Sequence, residues 1–456
     1  MDQAGTVPTE KSLFCESSAA PDKRDQAPRP WNRPLRICAF AACPFPANHG
    51  TPGSIREMLE GVAELGHEVH VVTYHFGENI GLKGVRLHRI PRWTNESTVV
   101  VGPTSRRPLY DALMVSTGLG VIRRCRPDVL HAHGYEAALA AALCRIATGV
   151  PVVYSGHNTM IDELPTYGFI RPRWLANLLA RGLDDWVPRL GDRCIPHSAN
   201  VERFLWGKGL ADRCEPVVNF GIDVEAMSHG NGPSIRLRHG WGGRPIALYA
   251  GVLDEFQRLD LLIAAMKQVV SLRPDALFVV VSTIPHAGHL ARLREQAADA
   301  GIADRLFITE PQPLSAVPDY LAACDVAVVP RPQAPGFPTK LLNYMAASRA
   351  CVLFASSAST GLVHGDNVYL AERDDSGALA GGIVAVLSDA SLRERLSRNG
   401  HQFVRSHHGR LGTAEKLCQA YRHTVAVKRS YWRPVTNGKS ANGPTSQRHL
   451  DPVAAG

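Results

Sequence analysis

From residue 35 onward, short apolar runs alternate with stretches whose apolar residues recur at helical spacing. LRICAFAA at 35 to 42 is the first run. A Pro/Gly loop, CPFPANHGTPG, follows it, and then SIREMLEGVAELG, in which Ile55, Met58, Leu59, Val62 and Leu65 share one helical face. HEVHVVTY reads as the next strand. DVLHAH (128 to 133), PVVYSG (151 to 156) and DRCIPHS (192 to 198) read as further strands, each followed by a helical pattern. NFGID (219 to 223) and the polar stretch HGNGPSIRLRHGWGGRP break the rhythm, which places a domain boundary near residue 220. The pattern restarts with IALYAG (246 to 251), a helix over 257 to 272 and the strand ALFVVVS (276 to 282). A helix over 289 to 300, the strand RLFIT, a helix over 314 to 323, and the strands DVAVVP (325 to 330) and ACVLFA (350 to 355) complete it.

Near-continuous apolar strands alternating with helices imply parallel sheets covered on both faces. The expected fold class is therefore α/β, with two facing Rossmann-like, doubly wound domains. Ligands of such sheets bind beyond the carboxyl ends of the strands, so the cleft between the domains is the expected site. Residues 1–33 and 429–456 lack apolar periodicity and read as disordered tails.

Composition narrows the picture only a little. Of 456 residues, 45% are hydrophobic, enough for two buried cores. The net charge of +8 favours anionic partners without choosing among them. Ten cysteines contain no CxxC pair, which argues against a zinc ribbon or a thioredoxin-type site. The basic residues are scattered and no recognition motif for nucleic acid is present. No apolar run approaches the length of a membrane span, and the first residues do not read as a signal peptide, so a cytoplasmic location is expected. RPRWLANLLARGLDDWVPRL (171 to 190) sets Trp174, Leu178 and Leu179 beside Arg171, Arg173 and Arg181. It reads either as a core helix with solvated arginines or as a weak, peripheral contact with an anionic membrane surface.

Three loops carry candidate chemistry. In CPFPANHGTPGSI, Gly50 and Gly53 let backbone approach a ligand, and the N–H groups of a helix start favour negative charge; an ordinary strand-to-helix turn would look the same. HAHGYE and SGHNTM set histidines at strand carboxyl ends. His131 and His133 read as structural, whereas His157, between Gly156 and Asn158, reads as a hydrogen-bond partner for a sugar hydroxyl or a phosphate. PGFPTKLLNYMAAS (335 to 348) combines a stiff approach, a helix start with Pro338 at its first position, and Lys340 in the first turn. A lysine against the positive end of a helix dipole is mildly unfavourable unless an anion sits between them.

HGTPGSIREMLEGVAELGHEVHVVTY, NFGID, ALYAGVLDEFQRLDLLIAAM and PTKLLNYMAASRACVLFA occur in the order and spacing of known family stretches. Together they resemble the retaining glycosyltransferases of the GT-B fold, specifically glycosyltransferase family 4 (group 1), over about residues 35 to 427. The resemblance implies an acceptor domain over 34–219 and a nucleotide-sugar donor domain over 220–407. It implies a carboxy-terminal helix over 408–428 that crosses back to the first domain. It implies sugar transfer with retention, by front-face attack assisted by the leaving phosphate, with no protein nucleophile, cofactor or metal. His157 would contact the transferred sugar and Lys340 the departing diphosphate. Gly50, Gly53, Gly251, Arg258, Gly336, Phe337, Pro338, Thr339 and Asn343 would lie on the donor side. His133, Asn158 and Glu163 would lie on the acceptor side.

The partners implied are a nucleotide-sugar and a sugar, lipid-linked or small-molecule acceptor. The chain departs from the family at four positions. Val252 and Gln257 stand where many members carry Arg and Lys, and Pro335 and Asn343 where many carry two glutamates. Lys340, Arg258 and helix amides are expected to substitute for the missing cations. The rival readings are a sugar-nucleotide epimerase of the same architecture and a binding protein without turnover.

Overall fold

The structure is a computed structural model that describes residues 33–47, 50–92, 106–166, 170–283, 287–332 and 338–431. Residues 1–32 and 432–456, and Pro335, Gly336 and Phe337, lie outside the described residues; residues 429–431, expected to begin a disordered tail, instead continue the helix Arg410–Tyr431. Among the described residues, twelve strands form two six-stranded sheets. The first holds β1 (Arg36–Ala41), β2 (Glu68–Thr73), β3 (Val85–Arg89), β4 (Val129–His133), β5 (Val152–Gly156) and β6 (Arg193–Pro196) in the order β3-β2-β1-β4-β5-β6. The second holds β7 (Ile246–Gly251), β8 (Leu277–Ser282), β9 (Leu306–Ile308), β10 (Val326–Val329), β11 (Ala350–Phe354) and β12 (Tyr369–Ala371) in the order β12-β11-β10-β7-β8-β9. Every pairing is parallel. Strand order reverses between β1 and β4 in one sheet and between β7 and β10 in the other, and crevices for ligands open at such reversals.

The central strands are buried on both faces, which is why they read as unbroken apolar runs. On β7, Ala247 and Tyr249 enter one apolar cluster while Ile246, Leu248 and Ala250 enter another. The outermost strands β3 and β12 are largely half-buried, and the apolar pattern alone does not announce them. The helix expected from 257 begins at Leu259, because Arg258 takes a left-handed conformation (φ 54°) after a tight turn at Glu255–Gln257. The helix expected over 314 to 323 begins as a tighter turn, Leu314–Ala316, before Val317–Ala323, with Pro318 in its first turn.

The chain passes between the sheets at 219–223 and returns near His408, and the two passages bond to each other. Ile222 N–H donates to His408 O (2.9 Å), and Arg410 N–H donates to Ile222 O (3.0 Å). Thr413 Oγ1 donates to Asn219 O (3.1 Å), and His408 Nδ1 donates to Phe220 O (2.8 Å). Arg410 then reaches Glu57 (3.4 Å), Glu60 (3.6 Å) and Glu64 (3.0 Å) on the helix Gly50–Glu64, and Asp223 (3.0 Å) on the other passage. The helix Arg410–Tyr431 packs along Gly50–Glu64 and beneath β4, β5 and β6 of the first sheet.

Close approach at this crossing requires Gly221. A Cβ there would stand 2.7 Å from Thr413 Oγ1 and 3.0 Å from the Arg410 Cα. Gly221→Ala should therefore push the passages apart and destabilise the fold by about 1–3 kcal/mol. Urea unfolding checks this, and an unchanged midpoint would show that the crossing accommodates the methyl group.

Candidate active site

Four histidines gather at the carboxyl ends of β4, β5 and β6. His131 and His133 close β4, His157 follows β5, and His197 follows β6; all four are buried. Two of them belong to a chain of hydrogen bonds whose direction is fixed by its last acceptor, a carbonyl. His197 Nδ1 donates to Val218 O (2.7 Å), so in the neutral ring Nε2 must accept, and it does so from Ser155 Oγ (3.0 Å). Ser155 Oγ in turn accepts from His131 Nε2 (2.7 Å), and His131 Nδ1 accepts from Tyr421 O–H (2.7 Å) on the carboxy-terminal helix. His131 is thereby spent on structure.

The other pair is not spent. His133 Nδ1 and His157 Nε2 share one hydrogen bond (3.3 Å), while His133 Nε2 and His157 Nδ1 are buried with no partner among the described residues. Whichever tautomer holds, a neutral pair joined in this way leaves one donor and one acceptor unused. That is the complement of a hydroxyl, which both donates and accepts. Phe220, from the passage between sheets, stacks on His157 (ring centroids 5.7 Å, 10°) and on His197 (4.9 Å, 22°). Burial lowers the pKa of all four rings, with the neighbouring imidazoles adding to the effect at His131, His133 and His157. It reaches about 3 at His131 and about 4 at His197. Among the described residues, no group of three or more His, Cys, Asp or Glu is disposed to hold a metal ion.

The second set sits at the reversal between β7 and β10. Lys340 lies in the first turn of the helix Thr339–Ala346; its ammonium donates to Tyr249 Oη (2.7 Å) and to Gln257 Oε1. It also stands 4.4 Å from the centre of the Tyr249 ring. Tyr344, on the same helix, donates to Ala250 O (2.7 Å) and accepts from Ala250 N–H (2.9 Å), tying the helix to the end of β7. Gly251 closes β7 at φ 151°, and a Cβ there would come within 3.4 Å of Lys340 Nζ. Arg331, two residues beyond β10, lays its guanidinium 4.2 Å from the centre of the Phe256 ring. Burial, and then repulsion from Arg331, lower the Lys340 pKa to about 7, against a smaller opposing pull from Asp254.

The structure thus brings Lys340 together with Gly251 and sets Pro338, Thr339 and Asn343 on the same helix or at its start. Pro338 caps that helix rather than opening it; Thr339 is the first helical residue. Gly50 and Gly53 form the first turn of their helix. Asn158 Nδ2 donates to Glu163 Oε1 (2.6 Å), so these two form a pair beside His157. Arg258 is not brought to Lys340: its guanidinium grips Asp260 through two parallel bonds (2.9 and 2.8 Å). Sequence reasoning missed Arg331, His197 and Phe220. Arg331 carried a signal, a cation directly after the apolar strand DVAVVP; Phe220 carried none.

Comparison with known proteins agrees with this architecture. Residues 50–226 match the family described as Glycosyltransferase Family 4, and residues 233–403 match Glycosyl transferases group 1. The chain belongs to glycosyltransferase family 4. A D-inositol 3-phosphate glycosyltransferase of Thermobispora bispora is 25% identical over 397 residues, covering 82% of this chain and 89% of that protein. Sucrose-phosphate synthase from Thermosynechococcus elongatus superposes with a TM-score of 0.73 at 17% identity, over 86% of this chain and all of that one. Anabaena HepE, solved with UDP and glucose, gives a TM-score of 0.67 at 15% identity, over 84% and 98% of the two chains. This glycosyltransferase has the GT-B fold, two facing doubly wound sheets, and shares that fold with these neighbours.

The buried histidines of this glycosyltransferase make a pH prediction. They are neutral in the fold, whereas in the unfolded chain they take up protons near pH 6.5. Their contribution to stability is complete above pH 6.5 and is lost as pH falls toward 4. In an NMR titration, the His131, His133, His157 and His197 ring resonances should stay in their neutral positions from pH 8 to 5. Titration of any of them near 6.5 would contradict the assignment.

Proposed function

We propose that this glycosyltransferase takes its sugar from a nucleotide-sugar held at the carboxyl end of the second sheet. It passes the sugar, with retention, to an acceptor presented at the first sheet. The observation that carries this reading is Lys340. Its charge is held in a helix's first turn at the strand reversal, and its hydrogen bonds go only to neutral acceptors, Tyr249 and Gln257. A cation stabilised in this way has unspent capacity for an anion, and a departing nucleoside diphosphate supplies one. The first N–H groups of the helix Thr339–Ala346 add to that attraction. The HepE structures with UDP and UDP-glucose support a donor of this class, and the inositol phosphate glycosyltransferases support a hydroxylated acceptor.

On the acceptor side, the His133–His157 pair offers a donor and an acceptor to sugar hydroxyls, with Asn158 and Glu163 beside it. Departure of the diphosphate leaves positive charge at the anomeric carbon. The acceptor hydroxyl then attacks from the same face, giving its proton to the leaving phosphate, and no protein nucleophile is required. Lys340→Met keeps the apolar stem and removes the charge. It should weaken nucleoside diphosphate binding, or lower kcat/KM, by about ten- to a hundredfold. His157→Ala should spare nucleotide binding and lower turnover sharply. Calorimetry, with mass spectrometry of products from a mixed sugar-nucleotide panel and a lipid extract, measures both. If Lys340→Met changes neither binding nor turnover, the diphosphate is held elsewhere.

The acceptor half also presents a surface suited to an anionic membrane. On the helix Arg173–Trp186, the inward residues are small or polar: Ala176, Ala180 and Asp184. Asp184 accepts from Tyr135 O–H (2.5 Å) and Met160 N–H (2.8 Å), which docks the helix by polar contacts. Trp174, Leu178, Leu179 and Trp186 face outward at 65%, 60%, 46% and 75% exposure, with Arg171, Arg173 and Arg181 exposed among them. The core-helix reading of this segment therefore does not describe its tryptophans. Exposed tryptophans among arginines suit a lipid headgroup region. The protein should float with vesicles containing phosphatidylglycerol and not with pure phosphatidylcholine. Trp174→Ser with Trp186→Ser should abolish flotation, and equal behaviour on both vesicles would end the proposal.

A further inference from the structure

We propose that Arg331 and Lys340 act as a pair to hold the donor's diphosphate, with Arg331 taking the role of the arginine this chain lacks after β7. The inference rests on the nucleotide-sugar reading above and adds the second cation.

Three observations converge on Arg331. The first is its place. It follows β10, whose neighbour is β7, so Arg331 and the β7 loop flank the same strand reversal, where ligand crevices form. The loop itself supplies no cation: Val252 stands at the position in question, and its carbonyl is taken by Tyr249 O–H (2.6 Å). Arg258, the loop's own arginine, is gripped by Asp260.

The second observation is the missing counter-charge. Among the described residues, neither Arg331 nor Lys340 has a carboxylate within salt-bridge distance, while other buried or half-buried arginines do: Arg236 with Asp325 (2.9 Å) and Arg410 with four acids. Asp254 is the acidic group that acts on both, and its buried Oδ1 has no partner among the described residues. Two cations that repel each other at a strand reversal are stabilised when a dianion arrives. The depressed pKa values of both residues, caused by burial at Arg331 and by burial and Arg331 at Lys340, are consistent with that.

The third observation is preorganisation. Ser357 Oγ donates to Arg331 O (2.5 Å), fixing the backbone, and the Phe256 ring supports the guanidinium plane. A planar guanidinium held in this way presents a fork that matches phosphate oxygens in pairs, whereas an ammonium acts as a point charge. The two cations thus have different tasks. Arg331 would fix the orientation of the diphosphate, and Lys340 would neutralise it.

The test uses the full chain with UDP, GDP and ADP as probes in calorimetry, followed by the matching nucleoside monophosphate. Wild type should prefer the diphosphate of one base. Arg331→Gln should weaken that diphosphate by about ten- to a hundredfold and the monophosphate much less. Arg331→Lys keeps the charge and loses the fork, and should fall between them. Arg258→Gln should bind as wild type does.

At pH 8, diphosphate binding to wild type should take up protons, read as an enthalpy that depends on the buffer's ionisation heat. The anion raises the Lys340 pKa from about 7, and the uptake should vanish in Lys340→Met. If wild type binds a diphosphate and folded Arg331→Gln and Arg331→Lys bind it equally well, the inference is overturned and the donor reading stands. If wild type binds no diphosphate and transfers no sugar from any donor, the donor reading itself has failed. A loss with Arg258→Gln as large as with Arg331→Gln would also overturn the pair.

Discussion

The two sheets are related by a short crossing in which residues 219–223 lie beside residues 408–410. Backbone bonds between Ile222, His408 and Arg410 join the outgoing and returning chain. The Arg410 guanidinium gathers three glutamates of the helix Gly50–Glu64 and Asp223 around the same point. Everything at the carboxyl ends of β4, β5 and β6 that involves the linker depends on this crossing. Val218 ends the hydrogen-bond chain that sets the His131 and His197 tautomers, and Phe220 supplies the ring on which His157 and His197 stack. A crossing of this kind lets two separately cored halves present their strand ends to one another without a long hinge.

The fold holds cations in two different ways. Arg410 is 11% exposed and has four carboxylates about it, so its desolvation is offset inside the protein. Lys340 and Arg331 have a tyrosine hydroxyl, an amide oxygen and an aromatic ring instead. Such partners orient a charge without cancelling it. A charge that the fold orients and leaves uncancelled is placed to meet a ligand's charge.

The histidines divide along the same line. His131 and His197 have both nitrogens occupied and hold β4, β5, β6, the linker and the carboxy-terminal helix in one network. His133 and His157 use one nitrogen each on the other and keep the second. Burial keeps all of them neutral, so the two unused nitrogens of the pair offer hydrogen bonds and no charge. A carbohydrate, rich in hydroxyls and poor in charge, is matched by that arrangement.

The alternation of apolar runs and helical faces was enough, by itself, to determine two doubly wound parallel sheets. Strands buried on both faces must be apolar throughout, and that requirement is local. β3 escaped because it is a half-buried edge strand whose sequence, VRLHR, need not be apolar, and β12 escaped because YLA is only three residues long. Lys340 was legible because the helix start, the proline and the lysine lie within a few residues of each other. Arg258 is expected on the donor side from its one-dimensional proximity to β7, whereas in the fold Asp260, two residues on, engages it.

Only the tertiary structure decided which cation lies close enough to Lys340 to lower its pKa, and which histidines keep a nitrogen without a partner among the described residues. Arg331 meets Phe256 across more than seventy residues of chain, and the fate of His131 depends on Tyr421, nearly three hundred residues away. Charge compensation and hydrogen-bond occupancy are sums over neighbours in space. They follow the packing of distant segments, which no local pattern encodes.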